Sequence, residues 1–209
     1  MTIDAWRITQ AFFIGFMLCF SLGANAQNDT ASSAAEQMFH KGHALVKQNK
    51  LQQGITQLKK AAVYGSGQAA FELASLYEVG LVVDKDFNAA KKYYERAVSS
   101  GYRDAHFNLA LLLSSPFTPN NDLKRAREVV SLIAEQGDIE AQFLLATLMK
   151  RQMQNVGAKP GKAFYWLQHA ANSGHGKAQF QVATQYMKGE HVSRSTKTAL
   201  KWLMYRVIL

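Results

Sequence analysis

Six histidines, one cysteine and scattered serines are the residues of this chain with the most chemistry to offer. His40 and His43 lie three apart, a spacing that puts two imidazoles on one helical face and could present them to a metal. No cysteine lies near them in the sequence, and two solvated histidines are the plainer expectation. His169 and His175 flank Gly174 at a helix junction and read as surface residues. No nucleophile elbow or Ser-x-x-Lys constellation stands in a plausible context. The glycines fall where helices end and form no phosphate-cradling loop. The residue types therefore call for no catalytic residue, no metal and no cofactor.

The elements that would position these side chains recur at a fixed period. Ala69, Ala105, Ala141 and Ala178 open helices, and Phe71, Phe107, Phe143 and Phe180 follow two residues on. Ala90, Ala126, Ala163 and Ala199 mark a second helix in each unit, and Gly65, Gly101, Gly137 and Gly174 close the hairpins. These series step by 36 or 37 residues. Such a period is the signature of stacked helical hairpins. The expected fold is all-α: a right-handed α/α superhelix, or solenoid, of about five helix-turn-helix repeats. The units run over about 34–66, 67–102, 103–138, 139–175 and 176–209, after a polar, disordered lead over 27–33 in which Ser32 or Ser33 caps the first helix. Gly42 and Gly54 are placed for close approach of the first two helices. Asp86 and Asp122 are placed to cap second helices.

Within the second unit, Ala69, Phe71, Leu73, Ala74, Tyr77, Gly80, Val83, Asp86, Ala90, Tyr93 and Ala97 form a pattern that resembles the Sel-1-like repeat family, a relative of the tetratricopeptide repeats. The fifth unit repeats it with Ala178, Phe180, Val182, Ala183, Tyr186, Gly189, Val192, Ser195, Ala199 and Trp202. The third unit departs from it, because Pro116 and Pro119 force an irregular loop. Phe117 in that loop reads as a plug for the core or as an exposed contact. In the fourth unit Pro160 opens the second helix, and Tyr165 and Trp166 read as core. The resemblance implies a non-catalytic protein-interaction module whose first helices line a concave groove. Carried onto this chain, the groove positions are Gln68, Ser75 and Glu78, then Asp104, Leu111 and Ser114. They continue as Glu140, Thr147 and Lys150, and end with Lys177, Thr184 and Lys188. The groove would be acidic at its N-terminal end and basic at its C-terminal end, which could orient an extended peptide.

The N-terminus reads as a signal peptide over 1–26. Ala11 to Leu22 is apolar apart from Ser21, and Ala24-Asn25-Ala26 is a small-x-small cleavage pattern. The run is shorter than the about 20 residues of a membrane span. A periplasmic or secreted chain starting at Gln27 is the expectation, with no span in the mature chain. An uncleaved inner-membrane anchor is the alternative. Cys19 lies inside this segment, so the mature chain has no disulfide framework. The net charge is +9, with basic residues spread through every unit and no long basic run, which argues against nucleic acid. The last helix is unusually apolar. Leu200, Leu203, Met204, Val207 and Ile208 form a stripe that Trp202 extends. The partner expected is a protein or peptide, held in the groove or on this helix, with self-association through the helix as a further option. The rivals are a cell-envelope hydrolase of the β-lactamase-like type and a scaffold for a polysaccharide or secretion complex. The hydrolases assigned within the resembling family are cysteine-rich repeats, which the mature chain here is not.

Overall fold

The computed structural model describes residues 32–118, 121–156 and 161–205, with side chains described up to 152 in the second stretch and up to 204 in the third. Among them are ten helices and no strand. Helix α1 spans 32–47. It is followed by α2 Leu51–Val63, α3 Gly67–Val79, α4 Phe87–Ser99 and α5 Asp104–Ser114. Then come α6 Leu123–Glu135, α7 Ile139–Val156, α8 Gly161–Asn172, α9 Gly176–Lys188 and α10 Thr196–Tyr205. Each helix makes its main contacts with the helix before it and the helix after it, so the chain is a solenoid of five hairpins. The odd-numbered helices form one layer and the even-numbered helices the other.

One turn joins the hairpins, and it is built four times. After α2, the Gly65 amide donates to Ala62 O and the Ser66 amide to Ala61 O. The same pair of bonds recurs at Gly101 and Tyr102, at Gly137 and Asp138, and at Gly174 and His175. The turn needs a left-handed residue, and all four glycines have φ between 76° and 95°. A second device closes each regular hairpin. The residue that caps the second helix donates its own amide back to the first helix, Asp86 to Tyr77 O, Asp122 to Leu113 O and Ser195 to Tyr186 O. Its side chain then caps. Asp86 accepts from Asn88 and Ala89, Asp122 from Arg125, and Ser195 from Thr198. At Gly80 (φ 76°) a Cβ would lie 2.6 Å from Lys85 Cβ, so the hairpin loop passes too close for any side chain.

The small residues let these helices meet. Ala69, Ala105, Ala141 and Ala178 are fully buried, as are Ala90, Ala126 and Ala199. Gly42 and Gly54 face each other across α1 and α2. A Cβ on Gly54 would come 2.9 Å from Val46 N and 3.0 Å from Gly42 O. Leu58, Leu73, Tyr94, Leu109, Leu145 and Leu148 fill the space between layers in one continuous core running from α2 to α7. A second cluster around Leu167, Ala170 and Val182 continues it through α8 and α9, with Trp166 packed against both.

Several expectations are corrected here. Ser32 and Ser33 are helical, so neither is the cap ahead of α1. Phe117 is 83% exposed and plugs nothing. Ser115 Oγ accepts the Phe117 amide, and the neighbouring Thr118 is the residue turned inward. Tyr165 is exposed, and only Trp166 of that aromatic pair joins the core. Ser114 is buried and presents no side chain to a groove. The signal-peptide segment, the lead up to 31, Pro119, Pro160, Val207 and Ile208 lie outside the described residues. No described helix is long and apolar enough to cross a membrane.

Candidate binding face

The layer of first helices carries a polar network at its N-terminal end. Tyr94 on α4 is almost fully buried, and its hydroxyl reaches through to α3. It donates to Glu78 Oε2 at 2.7 Å and lies 3.3 Å from Ser75 Oγ, which also bonds Phe71 O. Asn108 of α5 completes the surround. Burial holds the phenol well above its ordinary range, and the Glu78 carboxylate adds to this. Tyr94 therefore stays a neutral donor, and Glu78 stays fixed in place. The equivalent position holds Val130 in α6, Leu167 in α8 and Leu203 in α10. A phenol among aliphatic equivalents was the one sequence signal that this unit needs polar partners.

His43 is not one of a metal-binding pair. Its Nδ1 lies 2.8 Å from Glu72 Oε2, and its ring stacks on Phe39 at 5.8 Å. The acid comes from the next hairpin, 29 residues on, where sequence proximity could not reveal it. His40 sits 3.7 Å from Glu36 on its own helix. No group of three metal-ligating side chains occurs among the described residues.

His175 is not a surface residue either. Its side chain is 7% exposed and it caps α9. Nδ1 accepts the Ala178 amide at 3.1 Å, so in the neutral ring Nε2 carries the proton and faces Glu140 Oε2 at 3.3 Å. The ring stacks on Phe143 at 4.2 Å. Ser66 and Asp138 cap the starts of α3 and α7 in the same way. His169 is exposed, 4.4 Å from the Tyr165 ring.

The groove positions fall into three rows along the solenoid. Gln68, Asp104, Glu140 and Lys177 form an exposed row at the first-helix N-termini. Glu140 and Lys177 share an open depression with His175 and Phe180. Ser75, Leu111, Thr147 and Thr184 form the middle row. The Ser75 hydroxyl joins the Tyr94 network, Leu111 is exposed, and Thr147 and Thr184 donate to carbonyls of their own helices. The third row is Glu78, Ser114, Lys150 and Lys188. Arg151 reaches back from α7 to donate to Ser114 O at 2.9 Å, which ties two units together. Lys188 is 3.6 Å from Glu190.

Toward the C-terminal end this face opens into a cavity of about 200 Å³. Ala146, Ala163, Phe164 and Leu167 make its apolar wall, and Thr147, Lys150, Gln181 and Gln185 bring polar groups to it. Gln185 Oε1 is buried with no hydrogen-bond partner among the described residues. The volume suits one inserted side chain. Glu190 and His191 also line the cavity. From α3 to α9 the first helices change sign: α3 and α5 carry Glu72, Glu78 and Asp104 and no lysine or arginine, and α9 carries Lys177 and Lys188 and no acid. Ahead of them, α1 carries Lys41 and Lys47 against Glu36.

On α10 the apolar stripe is divided. Trp202 packs against the second core cluster, while Leu200 and Met204 are 53% and 63% exposed.

Taken together, the stacked hairpins and the open, polar first-helix face define an α/α-solenoid interaction module. The family is the Sel1 repeat. Its model matches residues 67–102, 139–175 and 176–203, so the chain carries Sel1 repeats. The unmatched units are the short first hairpin and the third, with its proline loop. A Sel1 repeat protein from Oxalobacter formigenes superposes with a TM-score of 0.74 at 26% identity, over 91% of this chain and 56% of that one. The chitin synthase regulator SKT5 of Saccharomyces cerevisiae is 30% identical over 71% of this chain and 22% of its own length. An exopolysaccharide production negative regulator of Rhizobium leguminosarum bv. viciae is 32% identical over 66% of this chain and 57% of its own. The chain thus spans a little more than half the length of two of these and about a fifth of SKT5. Sel1 repeats serve as protein-interaction modules.

Proposed function

We propose that this chain is an exported, non-catalytic adaptor that holds an extended polypeptide along its first-helix face. The change of sign from α3 and α5 to α9, with the small cavity beside Lys150, carries this reading. A peptide with a basic end and an acidic end would lie in one direction only, its acidic end toward Lys150, Lys177 and Lys188. One side chain would fill the cavity, and its backbone would meet the amides of Gln181 and Gln185. Two relatives being regulators of polymer production supports a partner that is itself protein machinery. Export rests on the apolar run Ala11 to Leu22 and the Ala24-Asn25-Ala26 site, and puts the mature chain in the periplasm or outside the cell.

Two synthetic peptides test the groove, one with a lysine-rich start and glutamate-rich end and one with the same segments in reverse order. Fluorescence anisotropy should show one order binding about tenfold more tightly, the size of about 1.4 kcal/mol. Lys150→Glu with Lys188→Glu should abolish or invert the preference. Equal binding of both orders, untouched by the double substitution, would sink the reading. The mass of the exported chain decides whether it begins at Gln27 or keeps its leader.

A second surface is favoured by Leu200 and Met204. Each exposed side chain of this size leaves about 1.5–3 kcal/mol of burial unused. We place docking or self-association of α10 there. Light scattering of the wild type beside Leu200→Glu/Met204→Glu tests it, and an identical monomeric mass for both removes it.

A further inference from the structure

The two layers of the solenoid differ in charge. Helix α2 carries Lys59 and Lys60 and no acid, and α4 carries Lys91, Lys92 and Arg96 against Glu95. Helix α6 carries Lys124, Arg125 and Arg127 against Glu128 and Glu135. Helix α8 carries Lys162, and α10 carries Lys197 and Lys201, both without an acid. The second helices thus hold eleven basic residues and three acidic ones. The first helices are nearly balanced, with six basic and five acidic. Most of the excess charge of the described helices therefore sits on one side of the molecule.

Eight of these eleven basic residues are exposed, while Lys91, Arg96 and Arg127 are half-buried. The equivalent, exposed positions of the five hairpins hold Thr56, Lys92, Glu128, Tyr165 and Lys201. Lys60, Lys92, Lys124, Lys162 and Lys201, one per hairpin, are exposed and form no ion pair with a described residue. Large apolar side chains are interleaved with them. Val63, Leu132, Tyr165 and Leu200 are each more than half exposed on the same helices. A row of unpaired lysines calls for a polyanion. Bare aliphatic and aromatic groups between the lysines call for a polyanion with an apolar layer beneath its charges, as at a lipid headgroup interface.

We propose that the layer of second helices docks on a membrane surface rich in anionic lipid, leaving the first-helix face turned away and open to a polypeptide. The lysines meet headgroup phosphates, and Leu132, Tyr165 and Leu200 enter the boundary below them. The proposal rests on the charge of the second layer and is independent of the groove reading.

Vesicle co-sedimentation of the full chain tests it, with phosphatidylglycerol–phosphatidylethanolamine vesicles beside pure phosphatidylcholine. Binding should require the anionic lipid and should weaken between 50 and 300 mM salt, about the range over which charge screening sets in. Lys92→Glu with Lys124→Glu should lower the partition by about tenfold or more. Lys41→Glu with Lys47→Glu, the same change of charge on α1, should leave it within about twofold, and circular dichroism confirms that both variants are folded. Every chain carries the same N-terminal segment, so the difference between variants reports the helical layer alone. Equal binding to neutral vesicles, or equal losses in the two variants, overturns the proposal. So does binding to polygalacturonate in place of vesicles, which would assign the layer to an acidic polysaccharide.

Discussion

Replacing Tyr94 by Phe removes one oxygen and leaves the buried ring in place. The wild-type hydroxyl gives Glu78 a 2.7 Å bond. A hydrogen bond to a charged group contributes about 1.5–3 kcal/mol. Glu78 is only half-buried, so water recovers part of that, and a loss of about 1–2 kcal/mol is expected. For a chain of this size that lowers the melting temperature by about 2–8 °C. The sign of the pH dependence follows from the raised pKa of the phenol. Above about pH 10 the unfolded tyrosine releases its proton while the folded one keeps it. The folded state then binds more protons, so wild-type stability falls as pH rises through this range. The Phe variant lacks that contribution, and the gap between the two proteins narrows. Urea unfolding at pH 8 and above pH 10 measures both effects. A Phe variant as stable as wild type at pH 8, or a gap that stays constant with pH, would refute the assignment of Tyr94 as a buried donor to Glu78.

The glycines separate packing from propensity. Gly54→Ala gains about 1 kcal/mol of helix propensity. It forces a Cβ to 2.7 Å from Val46 Cγ2 and against the α1 backbone, and such overpacking costs about 1–3 kcal/mol. Gly176→Ala meets nothing within 4 Å and should be neutral or stabilising by up to about 1 kcal/mol. Thermal melts should rank Gly176→Ala at or above wild type and Gly54→Ala below it, and the reverse order contradicts the close approach of α1 and α2. His175→Ala loses a cap worth about 1 kcal/mol and a ring stack worth about 0.5–1.5 kcal/mol. His175→Asn keeps an acceptor at the cap and should recover part of that loss. Equal stability of Ala and Asn variants would show that the cap contributes nothing.

The fold was legible because it is periodic. A single alanine says little, but Ala69, Ala105, Ala141 and Ala178 in one register require equal helix contacts at equal spacing, and those contacts are what the structure shows. Asp86 and Asp122 were legible as caps because capping is local, reaching two or three residues ahead. The polar contacts between helices were not legible. His43 meets Glu72, and Arg151 meets Ser114 O across 37 residues, and each meeting depends on how two units are set against each other. His175 was misread because histidine is an uncommon cap, although it stands one residue past a hairpin glycine, as Ser66 and Asp138 do. Phe117 could be read as a core plug or an exposed contact because its hydrophobicity and the irregular loop after Pro116 point opposite ways, and the ring is exposed.

The serial pattern of contacts has a mechanical side. Each hairpin makes its main contacts with its neighbours, so a force applied to the two ends passes through every interface in turn. Such a chain yields one hairpin at a time, from an end, and each released hairpin adds a similar increment of length. The interfaces are not equally strong. The ties from His43 to Glu72 and from Arg151 to Ser114 brace particular joints, while α10 is held through Trp202 with Leu200 and Met204 bare. The C-terminal joint is braced as well, by His175 facing Glu140 and stacking on Phe143, so a stretched molecule would lose its binding face one hairpin at a time.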